Sequence, residues 1–314
     1  MESTFIKDIK YDIVEDSNET YHNNKEYISS TGLKKLKVSP AHYKEYLEEK
    51  KEPTPALIFG SAYHTYCLEV DKFHSQYYIF DEKDILEILI SEGSQKPRST
   101  NKYKDWVKEQ EEEAAGKIMI DKPSFNKIID MKAKMSRHFY CNYLLTTGVS
   151  EISVYATITT FEGKEIKIKV RPDKWNKKKC VVTDLKSIGD GMSDASIDGF
   201  AKQCANFDYH LSIALYADIL EKCMGEGMGV SAMFIAQEKQ APYAFNIFDA
   251  SNQFISQGRY EYENLLMLYS YCKENDYWPG YQVYCENKYG INELNLPAWA
   301  IKEINFYDHL RKND

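Results

Sequence analysis

The sequence has 314 residues, a length that suggests one large domain or two of ordinary size, at roughly 150 residues per domain. It carries 40 lysines and arginines against 48 aspartates and glutamates, so the formal net charge is −8, and 43% of its residues are hydrophobic. This composition is typical of a globular protein and excludes collagen-like and disordered chains. The acidic balance argues against a non-specific coat on DNA but is compatible with an enzyme that has a local basic groove.

Long apolar segments and metal-binding cysteine motifs are both missing from the sequence. No apolar run approaches the roughly 20 residues that span a bilayer, and the polar N-terminus does not have the pattern of a secretory signal. The seven cysteines are scattered without a C-x-x-C spacing, which excludes a zinc ribbon or an iron–sulfur ligand set. Unpaired thiols of this kind indicate a reducing compartment, and we expect a cytoplasmic protein.

The first half of the chain is predicted to be mainly helical. Residues 1–27 are polar and are predicted to form a flexible segment. Ser29 and Ser30 precede an apolar-periodic stretch as helix caps do. Pro40, directly after Ser39, begins another helix, because proline is favoured at the first helical position. Further helices are predicted over 55–70, 101–116 and 123–145.

The hydrophobic period changes from helical to alternating at about residue 150. Strands are predicted over 150–161, 165–171 and 180–188, with turns at 162–163 and 176–179. Helices follow at 194–206 and 208–224, then strands at 230–238 and 243–248, and a long helix at 252–274. This order predicts an α+β fold in which one sheet is flanked by helices.

Acidic and basic side chains converge on one face of the hairpin predicted over 165–188. If the chain reverses in the middle of the lysine-rich turn, Asp173 lies opposite Val182, and Asp184 is its diagonal neighbour on the same face. Diagonal neighbours have Cβ atoms roughly 7–8 Å apart, from which two carboxylates can share a divalent cation. Lys186, two residues further on, shares that face.

Phosphodiester hydrolysis is the chemistry that these groups suit. A hard cation held by carboxylates activates water and neutralises developing charge, and a lysine beside it can orient or deprotonate that water and contact the phosphate. A lone D-x-K is also common in lysine-rich proteins, where a paired surface hairpin accounts for it. The functional interpretation is favoured because Asp184 stands in a strand of alternating apolar residues, where an acid is costly to bury unless it binds something.

The sequence resembles the RecE-like branch of the PD-(D/E)XK nucleases, the exonuclease VIII C-terminal domain of phages and prophages. The signature is R-P-D at 171–173 followed by D-L-K-S at 184–187. Supporting segments run in the family's order from about residue 28 to residue 303. They are LKKLKVSPAHYKEYL (33–47), FGSAYHTYCLEVDKF (59–73), DGFAKQCANFDYHLSIALYAD (198–218), FIAQEKQAPYAF (234–245), WPGY (278–281) and NLPAWA (295–300).

The resemblance implies a fold and a domain division. The fold would be a PD-(D/E)XK, or restriction-endonuclease-like, core with a central mixed sheet flanked by helices and a helical N-terminal part. After the flexible segment 1–27, residues 28–314 would form a single exonuclease domain. Its parts would be a mainly helical region at 28–148, the catalytic sheet and helices at 149–250, and a C-terminal helix and tail at 251–314.

The resemblance also implies roles for the matching residues. His64, the last residue of a G-x-x-x-H motif, would bind the metal together with Asp173, Asp184 and the carbonyl of Leu185. Without the family, a histidine on this apolar helical stripe would be interpreted as a core residue. Asp173, Asp184 and Lys186 would form the catalytic set.

Further candidate residues flank this set. Glu151 matches an acid that would hydrogen-bond the metal ligands or bind a second metal ion. The alternative is that Glu151 is a solvated acid without a role in the site. Ser212 stands where relatives commonly have glutamine, which puts the contribution of that position in doubt. For two of the candidate DNA contacts, Tyr209 and Tyr216, the alternative is that they only pack against neighbouring helices. Candidate DNA contacts are Lys169, Arg171, Tyr209 and Tyr216.

The function implied by the resemblance is that of a Mg²⁺-dependent exodeoxyribonuclease, with Mn²⁺ as a substitute. It would degrade linear double-stranded DNA from its ends in the 5′→3′ direction and leave 3′ overhangs for phage-type recombination by strand annealing. Expected partners are a single-strand annealing protein of the RecT type and further copies of the chain in a ring, in the cytoplasm of a bacterial host. The alternatives are a Cas4- or RecB-type end-processing nuclease without an iron–sulfur cluster, and a catalytically inactive DNA-binding assembly subunit.

Overall fold

The computed structural model describes residues 5–49, 53–189, 194–225, 227–281, 289 and 291–300. Its first half is mainly helical, as predicted. The elements of this half are β1 (Ile6–Val14), α1 (Asn18–Asn23), α2 (Ser30–Val38), α3 (Pro40–Glu48), α4 (Pro55–Leu68), α5 (Val70–Gln76), β2 (Tyr77–Phe80), α6 (Lys83–Ser91), α7 (Asn101–Ala114), β3 (Ile118–Asp121), α8 (Lys122–Ser136) and α9 (Phe139–Thr146).

The second half contains most of the sheet. Its elements are β4 (Val149–Ser150), β5 (Ser153–Thr160), β6 (Glu165–Val170), β7 (Lys174–Asn176), β8 (Val181–Ile188), α10 (Ile197–Asn206), α11 (Tyr209–Met224), β9 (Ser231–Glu238), β10 (Phe245–Asp249) and α12 (Asn252–Asn275). The α+β class is therefore confirmed. The part of the predicted tail beyond residue 300 lies outside the described residues.

The central sheet has five strands in the order β10-β9-β8-β7-β4. β8 and β9 run parallel, and the other neighbours are antiparallel, so the predicted mixed sheet is confirmed. The prediction of one sheet is wrong, because β5 and β6 pair with β1 in a separate antiparallel sheet, and β2 and β3 form a parallel pair. Pro172, between β6 and β7, has no N–H with which to continue a ladder.

β8 lies between two hydrophobic cores, because its alternate side chains face opposite sides of the sheet. Val182 and Ile188 pack into a core with residues of α2, α11 and α12. Leu185 packs on the other side with residues of α4, α8 and α9. Helices thus flank the central sheet on both faces, as the resemblance implied.

The N-terminal segment has regular structure, and the prediction that residues 1–27 are flexible is wrong for most of it. β1 pairs with β5 along its whole length, and Ser17 then caps α1 through its side chain. Ile28 adds a bridge to Ile168 of β6. The strand was missed because most of its side chains are exposed, with Ile6 the buried exception, so it lacks the apolar alternation of a half-buried strand.

The helix starts predicted from serine and proline are confirmed, and one long helix is divided. Ser29 and Ser39 accept hydrogen bonds from the backbone of their first turns, and Pro40 opens α3. The helix predicted over 123–145 is two helices, because the imidazole of His138 accepts the N–H of Cys141 and caps a new helix there. None of the described helices has both the length and the apolar character that crossing a bilayer requires.

Candidate active site

The candidate site lies where β7 ends and β8 continues. β7 pairs with β8 only as far as Thr183, and continuing this register by one residue brings Asp173 opposite Asp184. The prediction that Asp173 lies opposite Val182 is wrong, since Trp175 occupies that position. The chain reverses one residue later than predicted, and this shift makes the two aspartates direct rather than diagonal neighbours.

The carboxylate of Asp173 is held by two donors. Its Oδ2 accepts the backbone N–H of Leu185 at 2.7 Å and lies 3.4 Å from Nδ1 of His64. Because β7 has ended, the amide of Leu185 bonds this side chain instead of a strand carbonyl, which satisfies the backbone group. His64 reaches the site from α4 on one side of the sheet, and Asp173 from the sheet itself.

Glu151 completes a cluster of three metal-ligating groups. One ligand atom each of His64, Glu151 and Asp173 lie within 4.8 Å of one another. The backbone N–H of Glu151 donates to the carbonyl of Asp173 at 3.2 Å, and its φ of 49° is uncommon for a residue other than glycine. Such backbone strain is found where structure serves function. Two carboxylates and an imidazole form a donor set that Mg²⁺ or Mn²⁺ can accept.

The pKa values of the cluster show how closely its charges interact. Burial raises the pKa of Glu151 to about 8, and the negative charge of Asp173 adds to the shift. Burial also favours protonation of Asp173, but the charge and hydrogen bond of His64 outweigh it and lower the pKa of that carboxyl. Burial would lower the pKa of His64, and the attraction of Asp173 raises it instead. Without a cation, the cluster therefore retains protons at neutral pH.

Asp184 and Lys186 form an ion pair on the face of β8 that is directed towards α11. Asp184 is only 6% exposed, and burial raises the pKa of its carboxyl despite the nearby ammonium. Burial would lower the pKa of Lys186, but the charges of Asp184 and Asp173 hold it above its ordinary value. The carboxylate of Asp184 thus pairs with Lys186, whereas the carboxylate of Glu151 lies in the cluster with His64 and Asp173.

The cluster opens into a cleft of about 530 Å³. One wall is the N-terminal segment at 15–18, which lies between β1 and α1, and another is α4, from which Gly60 and Ser61 face the cavity together with His64. Lys186, Tyr209 and Lys239 also line the cleft. A strand of nucleic acid that entered the cleft would meet both the metal-ligating cluster and the lysine.

The two candidate tyrosines of α11 have different surroundings. Tyr209 lines the cleft, with its ring centre 4.9 Å from the Nζ of Lys186. The hydroxyl of Tyr216 contacts that of Ser30 at 3.2 Å, which joins α11 to α2. Tyr209 lines the cleft and stays a candidate for DNA contact, whereas the packing alternative describes Tyr216.

Lys169 and Arg171 are buried, with exposures of 5% and 8%, which argues against the predicted contact with DNA, although Arg171 also lines the cleft. The ammonium of Lys169 donates to two backbone carbonyls of the N-terminal segment at 2.5 and 2.6 Å. Arg171 forms an ion pair with Asp16 and donates from Nε to Ser153 and from Nη1 to Asn18, both at 2.8 Å. Their donors thus anchor the segment that forms one wall of the cleft.

Several residues near the site carried no sequence signal. Gln203 of α10 is buried, with its Oε1 lacking a hydrogen-bond partner among the described residues, but no motif distinguishes it from other glutamines. Lys34 of α2 places its Nζ 5.4 Å from the ring centre of Tyr209, a contact between segments far apart in the chain. Ser212, which stands where relatives commonly have glutamine, is half-buried on α11 between Tyr209 and Tyr216. Because both tyrosines contact α2, this face of α11 is directed towards α2.

Comparison with known proteins agrees with this geometry. A crystal structure described as "Putative exonuclease", from Eubacterium rectale, has the same fold, with a TM-score of 0.55 over 90% of this chain and 96% of that chain and a sequence identity of 18%. None of the curated proteins is similar enough to match. The model of the family described as "PDDEXK-like domain of unknown function (DUF3799)" matches residues 29–289. Since that match covers most of the sequence and includes every candidate site residue, the chain belongs to this PDDEXK-like family.

Proposed function

We propose that this protein is a Mg²⁺-dependent exodeoxyribonuclease that degrades linear double-stranded DNA. The observation that carries the proposal is the meeting of a metal-ligating cluster, His64, Glu151 and Asp173, with Lys186 in a single cleft. Membership of the PDDEXK-like family supports a nuclease, and the protein from Eubacterium rectale with this fold is described as "Putative exonuclease".

The donor set fits one hard divalent cation. Two carboxylates and one imidazole converge within 4.8 Å, and Asp173 is held in place by the amide of Leu185. When bound, the cation would activate water and neutralise the charge that develops on the phosphate. Asp184 and the carbonyl of Leu185 remain proposed as further ligands, since the register places Asp184 opposite Asp173.

Lys186 is proposed to act as an electrostatic catalyst. Because its pKa is held above the ordinary value by Asp184 and Asp173, the protonated amine is favoured over the free base that would deprotonate water. A fixed ammonium is instead suited to the negative charge of the transition state, to which it would donate hydrogen bonds. Asp184 and the ring of Tyr209 hold the ammonium beside the cleft.

The biological role is proposed from the RecE-like resemblance. Degradation would proceed 5′→3′ and leave 3′ overhangs for an annealing protein of the RecT type, within phage-type recombination in the bacterial cytoplasm. A ring of identical chains would retain the DNA between successive cuts. These partners and this direction are implied by the segments quoted above rather than by the cleft.

Incubation of the purified protein with Mg²⁺ and equal amounts of linear and covalently closed duplex DNA tests the proposal. An exonuclease removes nucleotides from the linear DNA, spares the closed circles and stops when EDTA is added in excess. Nicking or linearisation of closed circles at a comparable rate would instead indicate an endonuclease. Binding of DNA without any cleavage, across Mg²⁺ and Mn²⁺ concentrations, would indicate the inactive assembly subunit.

The direction of degradation needs a second substrate. A linear duplex labelled at one 5′ end and, in a parallel sample, at one 3′ end distinguishes the two directions. Early release of the 5′ label as small products, with the 3′-labelled strand still long, is the expected result. The reverse order would contradict the 5′→3′ proposal while leaving the exonuclease intact.

A further inference from the structure

Lys34 places a second ammonium group beside the ring of Tyr209. Its Nζ lies 5.4 Å from the ring centre, and the Nζ of Lys186 lies 4.9 Å from the same centre. Lys34 is half-buried, and no carboxylate within the described parts of the chain forms a salt bridge with it. Two cations thus share the ring of Tyr209, which itself lines the cleft.

Lys37, one turn later on α2, shows how a lysine of this helix is normally neutralised. Its Nζ lies 2.6 Å from a carboxylate oxygen of Asp208 and 2.6 Å from one of Glu261. Lys37 thereby joins α2 to α11 and α12, and its ammonium occupies the space between these acids. Lys34 stands on the same helix without a salt bridge to a described carboxylate, although it is the less exposed of the two lysines.

The position of Lys34 is electrostatically unfavourable in the free protein. Burial and the positive charge of Lys186 lower the pKa of Lys34 to about 8, although Asp184 and Asp208 act in the opposite direction. A cation–π contact contributes only about 0.5–2 kcal/mol, and a buried charge ordinarily has an ionic partner. An anion from outside the chain would supply the missing partner.

We propose that Lys34, together with Tyr209, binds a phosphate of the nucleic acid substrate next to the phosphate that Lys186 contacts. This inference rests on the proposed nuclease function and deepens it. One strand of DNA carries a phosphate every 3.4 Å or so along the helix axis, so two ammonium groups on one ring can contact neighbouring phosphates. Lys34 would hold the strand while Lys186 acts at the scissile position.

The test compares Lys34→Gln with Lys35→Gln. Both variants remove one positive charge from α2, but Lys35 is exposed to solvent, so the second variant controls for net charge. DNA affinity is measured with Ca²⁺ in place of Mg²⁺ over a range of salt concentrations, and cleavage is measured separately with Mg²⁺. Thermal melting of each variant shows whether it is folded.

Lys34→Gln is expected to weaken DNA binding severalfold and to reduce the slope of log affinity against log salt by about 1, as for the loss of one phosphate contact. Its KM should rise by more than its kcat falls. Lys35→Gln should leave affinity, slope and KM within error of the wild type. Lys34→Arg, which keeps the charge, should recover most of the loss and shows that Lys34→Gln fails through charge rather than folding.

Substrates with a phosphate or a hydroxyl at the 5′ end identify the source of the bound phosphate. A loss confined to the phosphorylated end assigns Lys34 to a terminal phosphate, and an equal loss on both ends assigns it to an internal phosphodiester. The inference is overturned if Lys34→Gln and Lys35→Gln have the same affinity and slope. If the wild type binds DNA but does not cleave it, the proposed function fails, while the affinity and slope still decide the role of Lys34.

Discussion

The backbone amide of Leu185 donates to Oδ2 of Asp173 at 2.7 Å, at the point where β7 no longer pairs with β8. A carboxylate therefore takes the place of a strand carbonyl in the hydrogen bonding of β8. The same oxygen faces His64, so the backbone of the central strand fixes the side chain that organises the metal-ligating cluster. Asp173 is thus positioned before any cation arrives.

Replacement of Asp173 by asparagine and by alanine separates its two roles. Asp173→Asn can still accept the N–H of Leu185 but is a poorer ligand for a hard cation, so we expect a folded protein with greatly reduced cleavage and metal affinity. Asp173→Ala also leaves that amide without its acceptor, which costs about 1–3 kcal/mol. Chemical denaturation measures this difference, and equal stability of the two variants would contradict the structural role.

Metal binding is expected to release protons at neutral pH. The pKa of Glu151 is raised to about 8, so its carboxyl is mostly protonated at pH 7 and must lose the proton to bind a cation. Affinity for Mn²⁺ should therefore rise as pH increases towards 8 and level off above it. Calorimetric titration in buffers with different ionisation enthalpies counts the protons, and Glu151→Gln should reduce the count.

Loss of Lys186 should affect chemistry far more than DNA binding. Lys186→Met removes a cation proposed to act on the transition state, so kcat should fall by orders of magnitude while affinity for DNA in Ca²⁺ persists. The change also leaves Asp184 buried without its partner, which lowers stability. The double variant Asp184→Asn, Lys186→Met should recover the melting temperature without recovering activity. Substantial cleavage by Lys186→Met would contradict the catalytic assignment.

Neighbouring residues of α4 allow ligand and core roles to be compared directly. His64→Ala should weaken cation binding with little loss of melting temperature, and added Mn²⁺ should partly restore its activity. Tyr63→Phe should do the reverse, because the Tyr63 hydroxyl donates to the buried Oε1 of Gln237 at 2.6 Å, and an unsatisfied buried acceptor costs about 1–3 kcal/mol. A His64→Ala variant that only loses stability would remove this histidine from the active site.

Local signals in the sequence predicted many of the elements, although β1, α1, β2, α6 and β3 were missed. Serine caps and Pro40 marked the starts of α2 and α3, and alternating apolar residues marked β5, β6 and β8. These features depend on neighbours within a few residues, so the sequence alone reveals them. The grouping of His64 with Asp173 was predicted from family motifs rather than from pattern, because α4 and the sheet meet only in the folded chain. Glu151, not Asp184, is the third member of the cluster in the structure.

Contacts between residues that are far apart in the chain could not be predicted from the sequence. Lys169 and Arg171 were predicted to contact DNA because they lie on a basic strand. Only the folded structure shows that they bind the N-terminal segment of the same chain. The one-residue change in register between β7 and β8 depended on the conformation of a turn, in which Cys180 adopts a positive φ. That change decided how Asp173 and Asp184 face each other.

The anchoring of the N-terminal segment sets the order in which the cleft can be built during synthesis. Asp16 is separated by 155 residues from Arg171, and β1 pairs with β5, which ends at Thr160. A ribosome makes the N-terminal residues first, but their partners emerge only after about half of the chain has been translated. Contacts between such distant segments form slowly. The N-terminal segment can therefore take its place only after β5 and Arg171 have emerged, and the nascent protein acquires this wall of its cleft no earlier than that.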